Sequence, residues 1–299
     1  MNFNHLLIFQ KVAEHRHFTR AAEDLYISQP AVSKQIRELE KSLGLSLFSQ
    51  IGRKIYLTEA GEILYDYARR IFALTDEVET HLAEMRDLER GRLALGASTT
   101  IGIYLLPEVL GQYRACYPRI ELSLDIANAD LIQSHLLNNL VELALVEGSV
   151  THPELTSEVW QADELVLIAA PESPLAQREA LSLHDILEAP FLVREQGSGT
   201  REAFEAALTE RNLPPVTPFM ELGSTEAIKK AVAAGLGISF VSTHTIQLEV
   251  AAGLLHIVPL RDFQLVRQLY IAYPRQRRLS RASRAFLALL QRDLQHELL

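Results

Sequence analysis

Residues 28–44, SQPAVSKQIRELEKSLG, leave the backbone little choice. Ser28 suits an N-cap, Pro30 falls in a first turn where its missing N–H goes unmissed, and Gly44 ends the run. Between them Val32, Ile36, Leu39 and Leu43 recur at three or four residues and predict one buried face. Gln29, Ser33, Lys34 and Arg37 then lie on the other side, with Pro30 exposed at the start. The preceding segment predicts two more helices: an apolar stripe over 4–14, and a second helix that Thr19 can cap, with Ala21, Ala22 and Leu25 facing inward. Two small alanines allow a close helix crossing. Two helices, a turn of about three residues and a helix with a polar, exposed N-terminal face describe a helix-turn-helix.

The side chains on that face suit the major groove. Gln29 can bond adenine bidentately, Ser33 can donate or accept, and Pro30 offers apolar surface to a thymine methyl. Lys34 and Arg37 can reach phosphates and fix register. After Gly44, LSLFSQIGRKIYLT alternates like a hairpin turning near Gly52, with Arg53 and Lys54 at a basic wing tip. His15 and His17 flank Arg16 in a turn and read as solvated. The net charge of −9 runs against nucleic-acid binding until its distribution is examined. Residues 1–57 carry +3, residues 58–90 carry −5 and residues 91–299 carry −7. A basic head on an acidic body suits phosphate contact by the head alone.

FTRAAEDLYISQPAVSKQIRELEKSLGLSLF followed by LTEAG resembles the winged helix-turn-helix of LysR-type transcriptional regulators, and the match is almost continuous over residues 3–61. The resemblance aligns Gln29, Pro30, Ser33 and Lys34 with the base- and backbone-reading part of the recognition helix and Arg53 with the wing arginine; Thr19, Ser28, Arg37 and Lys54 complete the expected DNA-contacting set. Gln50 stands where many members carry an arginine, a departure that bears on one phosphate contact.

From Thr58 to about Glu89 there is no proline, and the only glycine is Gly61, in the first turn. Leu64, Tyr67, Ile71, Leu74, Val78, Leu82, Met85 and Leu88 form a coiled-coil-like seam. Such a seam needs a partner, either the same helix of a second chain or the chain's own body. The resemblance favours pairing and hence a homodimer, and two such dimers are expected to assemble into a homotetramer.

From Arg92 onward strand-like runs alternate with helical periods: LALGA, IELSLDIA, ELALVEG, ELVLIAA, FLVRE, ISFVS and LYIAYP, with a last helix from about Ser280. The pattern is α/β with mostly parallel strands, in more units than one small sheet takes. The expected organisation is a winged helix-turn-helix over 1–58, a linker helix over 59–90 and an effector-binding domain over 91–299. Lobe I of that domain takes 92–162 and 267–299, and lobe II takes 163–266. The resemblance implies a two-lobed, periplasmic-binding-protein-like form.

Three strand-to-helix junctions carry small hydroxyls and glycine: Ala97–Gly102 with Ser98, Thr99 and Thr100; Gln196–Arg201 with Gly199, Thr200 and Arg201; and Gly223–Glu226 with Ser224 and Thr225. Helix N-termini present unpaired N–H groups that suit an anion, and strand ends at a cleft are where open α/β sheets bind ligands. The expected effector site joins Ser98, Thr100 and Thr200, with Val146–Gly148 facing them. Glu147 is an awkward neighbour for a divalent anion and favours a ligand with a donor, unless it points away. Arg194 is a further candidate. Arg201 can pair with an anion or with Glu205, and Ser224 can serve as a cap alone. The STTIGIYLLP, GSGTRE and GSTEAIK runs resemble the subgroup regulating sulfur and inorganic-carbon metabolism. That resemblance implies a small anionic effector such as sulfite, sulfate or a phosphorylated or carboxylated metabolite.

Other functions find less support. GSGTR lacks the Lys-Ser/Thr of a P-loop, and there is no G-x-S-x-G or H-E-x-x-H. Ten scattered histidines make no i, i+4 pair on an expected helix, and one cysteine, Cys116, gives no metal cage, so neither metal nor cofactor is expected. No apolar run is long enough for a membrane span and no signal peptide is evident, so a cytoplasmic protein is expected. The partners expected are double-stranded promoter DNA, the effector, a second copy and RNA polymerase. An enzyme or a solute-binding protein with an accessory helix-turn-helix is the alternative.

Overall fold

A computed structural model describes residues 2–51, 54–86, 91–178 and 181–296. The chain divides into two units, Met1–Glu79 and Thr80–Leu299. In the first, α1 (Phe3–His15), α2 (Phe18–Asp24) and α3 (Gln29–Leu43) precede a hairpin of β1 (Phe48–Ile51) and β2 (Lys54–Leu57). A helix of 28 residues, α4 (Glu59–Arg86), follows. The core joins Phe9, Val12, Ala21, Ala22, Val32, Ile36, Leu39 and Leu47. Leu43, expected on the buried face, is exposed, because the chain turns away at Gly44 before anything covers it. Ser28 caps α3, its hydroxyl accepting from the Ala31 N–H. Thr19 does not cap α2; His17 does, its Nδ1 accepting from the Thr19 N–H at 3.2 Å. His15 is tied to Asp24 at 3.0 Å rather than simply solvated. Glu40 accepts from the N–H groups of Leu47 and Phe48 and so holds the wing against α3. Gly61 is required by close approach, since a Cβ there would lie 2.1 Å from the Leu47 carbonyl oxygen.

In the second unit β3 (Gly91–Ser98) leads through a π-helical turn, Ile101–Leu105, into α5 (Leu106–Cys116). There follow β4 (Ile120–Ala127), α6 (Ala129–Leu137), β5 (Leu143–Glu147) and the long β6 (Leu155–Ala169). Next come α7 (Leu183–Ile186), β7 (Phe191–Arg194), α8 (Gly199–Glu210), β8 (Pro218–Leu222), α9 (Thr225–Ala233) and β9 (Ser239–Ser242). A 3₁₀ turn at Thr243–Thr245 precedes α10 (Gln247–Ala251), β10 (His256–Val258), β11 (Leu265–Pro274) and α11 (Arg281–His296). The α6 helix went unread in the sequence, although Asn128 caps it.

The main sheet is mixed rather than mostly parallel. Its order is β10-β6-β11-β5-β3-β4, with β9 also on β6. The β3–β4 and β3–β5 pairs are parallel, while β6 and β11 pair antiparallel with each other and their other neighbours. The reason is topological: the chain passes out of the first lobe along β6 and back along β11. Each crossing strand contributes to two cores. Trp160 and Leu269 pack with Leu93, Leu95, Tyr113 and Phe286, whereas Leu165 and Leu265 pack with Phe191, Phe204 and Phe240. A bulge at Trp160, between the Leu269 and Tyr270 pairings, turns its indole into the first core.

Candidate functional site

The exposed start of α3 carries the residues expected to face a groove. Gln29 donates to the Ser33 hydroxyl one turn on at 2.8 Å, Arg37 Nε donates to the Ser33 carbonyl at 3.2 Å, and Lys34 stands 3.8 Å from Glu38. Thr19, Ser28, Pro30 and Lys54 are also exposed, Ser33 partly so. Arg53 lies outside the described residues. Tyr26, in the turn before α3, is 96% exposed with φ 54°. On α4, Tyr67, Leu74 and Val78 of the expected seam are exposed, and Ile71 is half-buried. The side chains of Leu82 and Met85, and Leu88 as a whole, lie outside the described residues.

The second site forms where β6 and β11 cross. Asp163 and Arg267 face each other directly in register. Arg267 is 5% exposed; its Nε and Nη2 donate to one oxygen of Asp163 at 2.8 and 2.7 Å. Its Nη1 donates to the Thr200 hydroxyl at 2.9 Å and its Nη2 to the Thr100 hydroxyl at 3.3 Å. Glu147 Oε1 stands 3.4 Å from Nη2. Ser242 donates to the other oxygen of Asp163 at 2.6 Å. One buried guanidinium thus gathers Thr100 and Glu147 from the first lobe and Thr200 from the N-terminus of α8 in the second. Burial of such a group is tolerable because Asp163 offsets its charge and Thr100 and Thr200 accept from both of its terminal nitrogens.

The other expected residues divide around this centre. Ser98 is fully buried at the end of β3. Thr99 is turned aside and donates to the Ala127 carbonyl at 3.3 Å. Gly148 follows Glu147 with φ 80°, and Gly199 packs on Glu147. Arg201 has the geometry of the Glu205 pair, at 2.7 Å, with Glu221 at 2.6 Å as a second partner. Arg194 is held by Glu195 and by Thr225, whose hydroxyl accepts at 2.7 Å. Ser224 stands at the N-cap of α9 but makes no side-chain cap bond. Arg267 and Asp163 were missed in the sequence. The available signal was phase: Leu265, Arg267 and Leu269 share the buried face of β11, and a charge in that alternation needs a partner.

A second contact joins the lobes away from Arg267. Tyr104, in the π-helical turn, donates to Glu226 of α9, and Lys229 donates to the Tyr104 hydroxyl at 2.9 Å. Lys229 is buried and also meets Glu226 at 2.7 Å, Glu249 at 2.8 Å and the Thr245 carbonyl at 2.7 Å. Burial opposes its charge, but these bonds outweigh burial and hold the ammonium above its usual range. Burial, then the bond to Glu226, likewise raises the Tyr104 phenol. Glu202 of α8 is raised by burial and then by Asp130, Glu205 and Glu147, so carboxylates crowd one margin of the cleft. Among the described residues no group of three or more His, Cys, Asp and Glu could hold a metal ion. No helix among them is long and apolar enough to cross a membrane.

Residues 3–62 match the model of the bacterial regulatory helix-turn-helix protein, lysR family, and residues 86–295 match that of the LysR substrate binding domain. A RuBisCO operon transcriptional regulator of Allochromatium vinosum is 38% identical over 286 residues, 96% of this chain and 94% of that one. The regulatory domain of Synechocystis PCC6803 CcmR, solved in complex with 2-PG, is 35% identical with a TM-score of 0.62, covering 67% of this chain and 96% of that one. CbnR, a LysR family transcriptional regulator, shares the fold across 98% of this chain and 99% of its own, at a TM-score of 0.74 and 21% identity. Head, linker and two-lobed body together place this chain in the LysR family of bacterial transcriptional regulators.

Proposed function

We propose that this regulator reads promoter DNA through α3 and the wing, and that a small anion bound between its lobes controls it. The observation that carries the second half is the buried Arg267, which joins hydroxyls from both lobes at the crossing of β6 and β11, the two strands that both cores share. Each threonine oxygen accepts from the guanidinium, leaving its proton to donate to an anion. The relative solved with 2-PG supports an anion of that size. Domain boundaries follow the sequence reading: 1–58 for the head, 59–90 for the linker and 91–299 for the body, with lobes dividing at 162/163 and 266/267.

The exposed stripe of Tyr67, Leu74 and Val78 supports pairing of α4 with a second copy, and two such dimers then present four heads to DNA. The protein works in the cytoplasm, beside RNA polymerase, and catalyses nothing. Effector binding favours one arrangement of the lobes and shifts the placement of the heads; by linkage, DNA must alter effector affinity by the same factor.

A salt-dependent gel shift on a palindromic promoter fragment tests the DNA half. Gln29→Ala should lower affinity for the specific site by about 1–3 kcal/mol, and Lys34→Gln should weaken all sequences alike and reduce the salt slope by about 1. Replacing Thr100 and Thr200 together by Val should abolish the effector response in a promoter-binding titration while basal DNA binding persists. Lost DNA binding with effector binding intact would overturn the assignment of these residues.

A further inference from the structure

Two polar atoms in the cleft have no hydrogen-bond partner among the described residues: Ser98 Oγ and Glu147 Oε1. Both belong to side chains more than nine-tenths buried, Ser98 at 0% and Glu147 at 4% exposure. They end adjacent parallel strands. Ser98 is the last residue of β3 and Glu147 the last of β5, and the two strands pair up to Ala97 and Leu145. Gly199, the first residue of α8, lies so near Glu147 that a Cβ there would be 2.5 Å from the Glu147 Cβ. Glu147 therefore packs against the helix end that carries Thr200, and Arg267 meets both. Glu147 Oε1 has an ion pair with Arg267 at 3.4 Å but no hydrogen bond, and a buried carboxylate oxygen in that state has room for a ligand's donor.

The donor set is asymmetric. Thr100 and Thr200 have O–H protons to give, and the Ser98 hydroxyl can give or accept. Of the two carboxylates that meet Arg267, Glu147 has the oxygen without a hydrogen bond, because Asp163 is engaged by Arg267 and Ser242. Arg267 against Glu147 and Asp163 leaves one negative charge before anything binds. An anion with no proton would set its lone pairs against those of Glu147 among buried side chains, where that repulsion is stronger than in water.

We propose that the effector is an oxyanion that brings its own O–H, which it donates to Glu147 while its charged oxygens accept from Ser98, Thr100 and Thr200. This rests on reading the cleft as the effector site. The O–H can belong to the oxyanion itself, as in hydrogen phosphate, or to a neighbouring carbon, as in a hydroxycarboxylate. Sulfate and simple carboxylates are rejected for want of that O–H.

Two pairs of probes differ by that one group: inorganic phosphate against sulfate, and glycolate against acetate. Each is titrated into the full chain and followed by thermal shift and calorimetry. The expected result is a preference of roughly a hundredfold for the O–H-bearing member of at least one pair. The pair that discriminates identifies where the O–H sits. Glu147→Gln, whose amide can donate to a bare oxyanion, should bring that pair to within about threefold. Ser98→Ala should weaken both members alike and leave the preference standing. Retained promoter binding shows that each variant is folded.

Sulfate and acetate binding as tightly as their partners, or a preference that survives Glu147→Gln, overturns the proposal. If those anions are still lost in the Thr100/Thr200→Val variant, the cleft remains the effector site and only the O–H requirement falls. No response to any of the four also overturns the proposal, and the promoter titration then judges the cleft separately.

Discussion

Arg267→Met lowers the stability of the effector domain by about 3–5 kcal/mol, the usual cost of leaving buried carboxylates without their cation. For a unit of this size that corresponds to a fall in melting temperature of about 6–20 °C. The size of the effect follows from what remains. Asp163, whose side chain is fully buried, keeps the Ser242 hydroxyl and the His244 ring at 4.0 Å, and Glu147 loses Arg267, 3.4 Å away. Thr100 and Thr200 lose the donor that joins them across the lobes. Removing both members of the crossing pair is a different matter. Asp163→Leu combined with Arg267→Met should be less destabilised than Arg267→Met alone, because no crossing carboxylate is then stranded. Both variants should be insensitive to effector. Thermal unfolding of the two singles and the double, arranged as a cycle, measures the coupling; a loss below about 1 kcal/mol for Arg267→Met, the range of a surface pair, would remove Arg267 from the centre of the domain.

What the sequence disclosed depended on how local the physics was. The α3 helix was legible almost to the residue, because Ser28, Pro30 and Gly44 act within a turn of where they stand, and Val32, Ile36 and Leu39 report their own phase. The cap of α2 was misplaced because His17, rather than the hydroxyl of Thr19, supplies the acceptor. The hydroxyl-rich junctions were visible as helix starts, but their value was not. Thr99 and Thr225 are of the same residue type as Thr100, yet one bonds the edge of β4 and the other holds Arg194. Only the Arg267 contacts separate them, and Arg267 lies 167 residues from Thr100 and 67 from Thr200. Strand direction failed for a similar reason. The strand-then-helix alternation is the same whether strands stay in one sheet or cross between lobes, and crossing alone forces β6 and β11 antiparallel. The Tyr104–Glu226–Lys229 contact was beyond reach as well, since neighbouring Lys230 is exposed and no pattern distinguishes the two lysines without the partner lobe.

Gly199→Ala separates the closing of the lobes from the folding of each. A Cβ at Gly199 would stand 2.5 Å from the Glu147 Cβ, 2.8 Å from its carbonyl oxygen and 2.9 Å from its carbonyl carbon. Two of those three atoms are backbone, so no side-chain rotation relieves the clash. Gly199 opens α8 in the second lobe and Glu147 ends β5 in the first, so the relief available is a wider gap between lobes. Phe204 and Leu208, further along α8, keep their places in the second core. The expected outcome is a modest stability loss, about 1–3 kcal/mol, with the effector response gone and promoter binding kept. Gly111→Ala is the matched control. It adds the same methyl inside α5, where nothing lies within 4 Å, and should stabilise the chain by up to about 1 kcal/mol with the response unchanged. Promoter mobility shifts with whichever oxyanion moves the wild type, together with small-angle scattering of both variants, read the two effects apart. Full effector response in Gly199→Ala would mean that the lobes need not approach at this point, and control by closure over Arg267 would have to be abandoned.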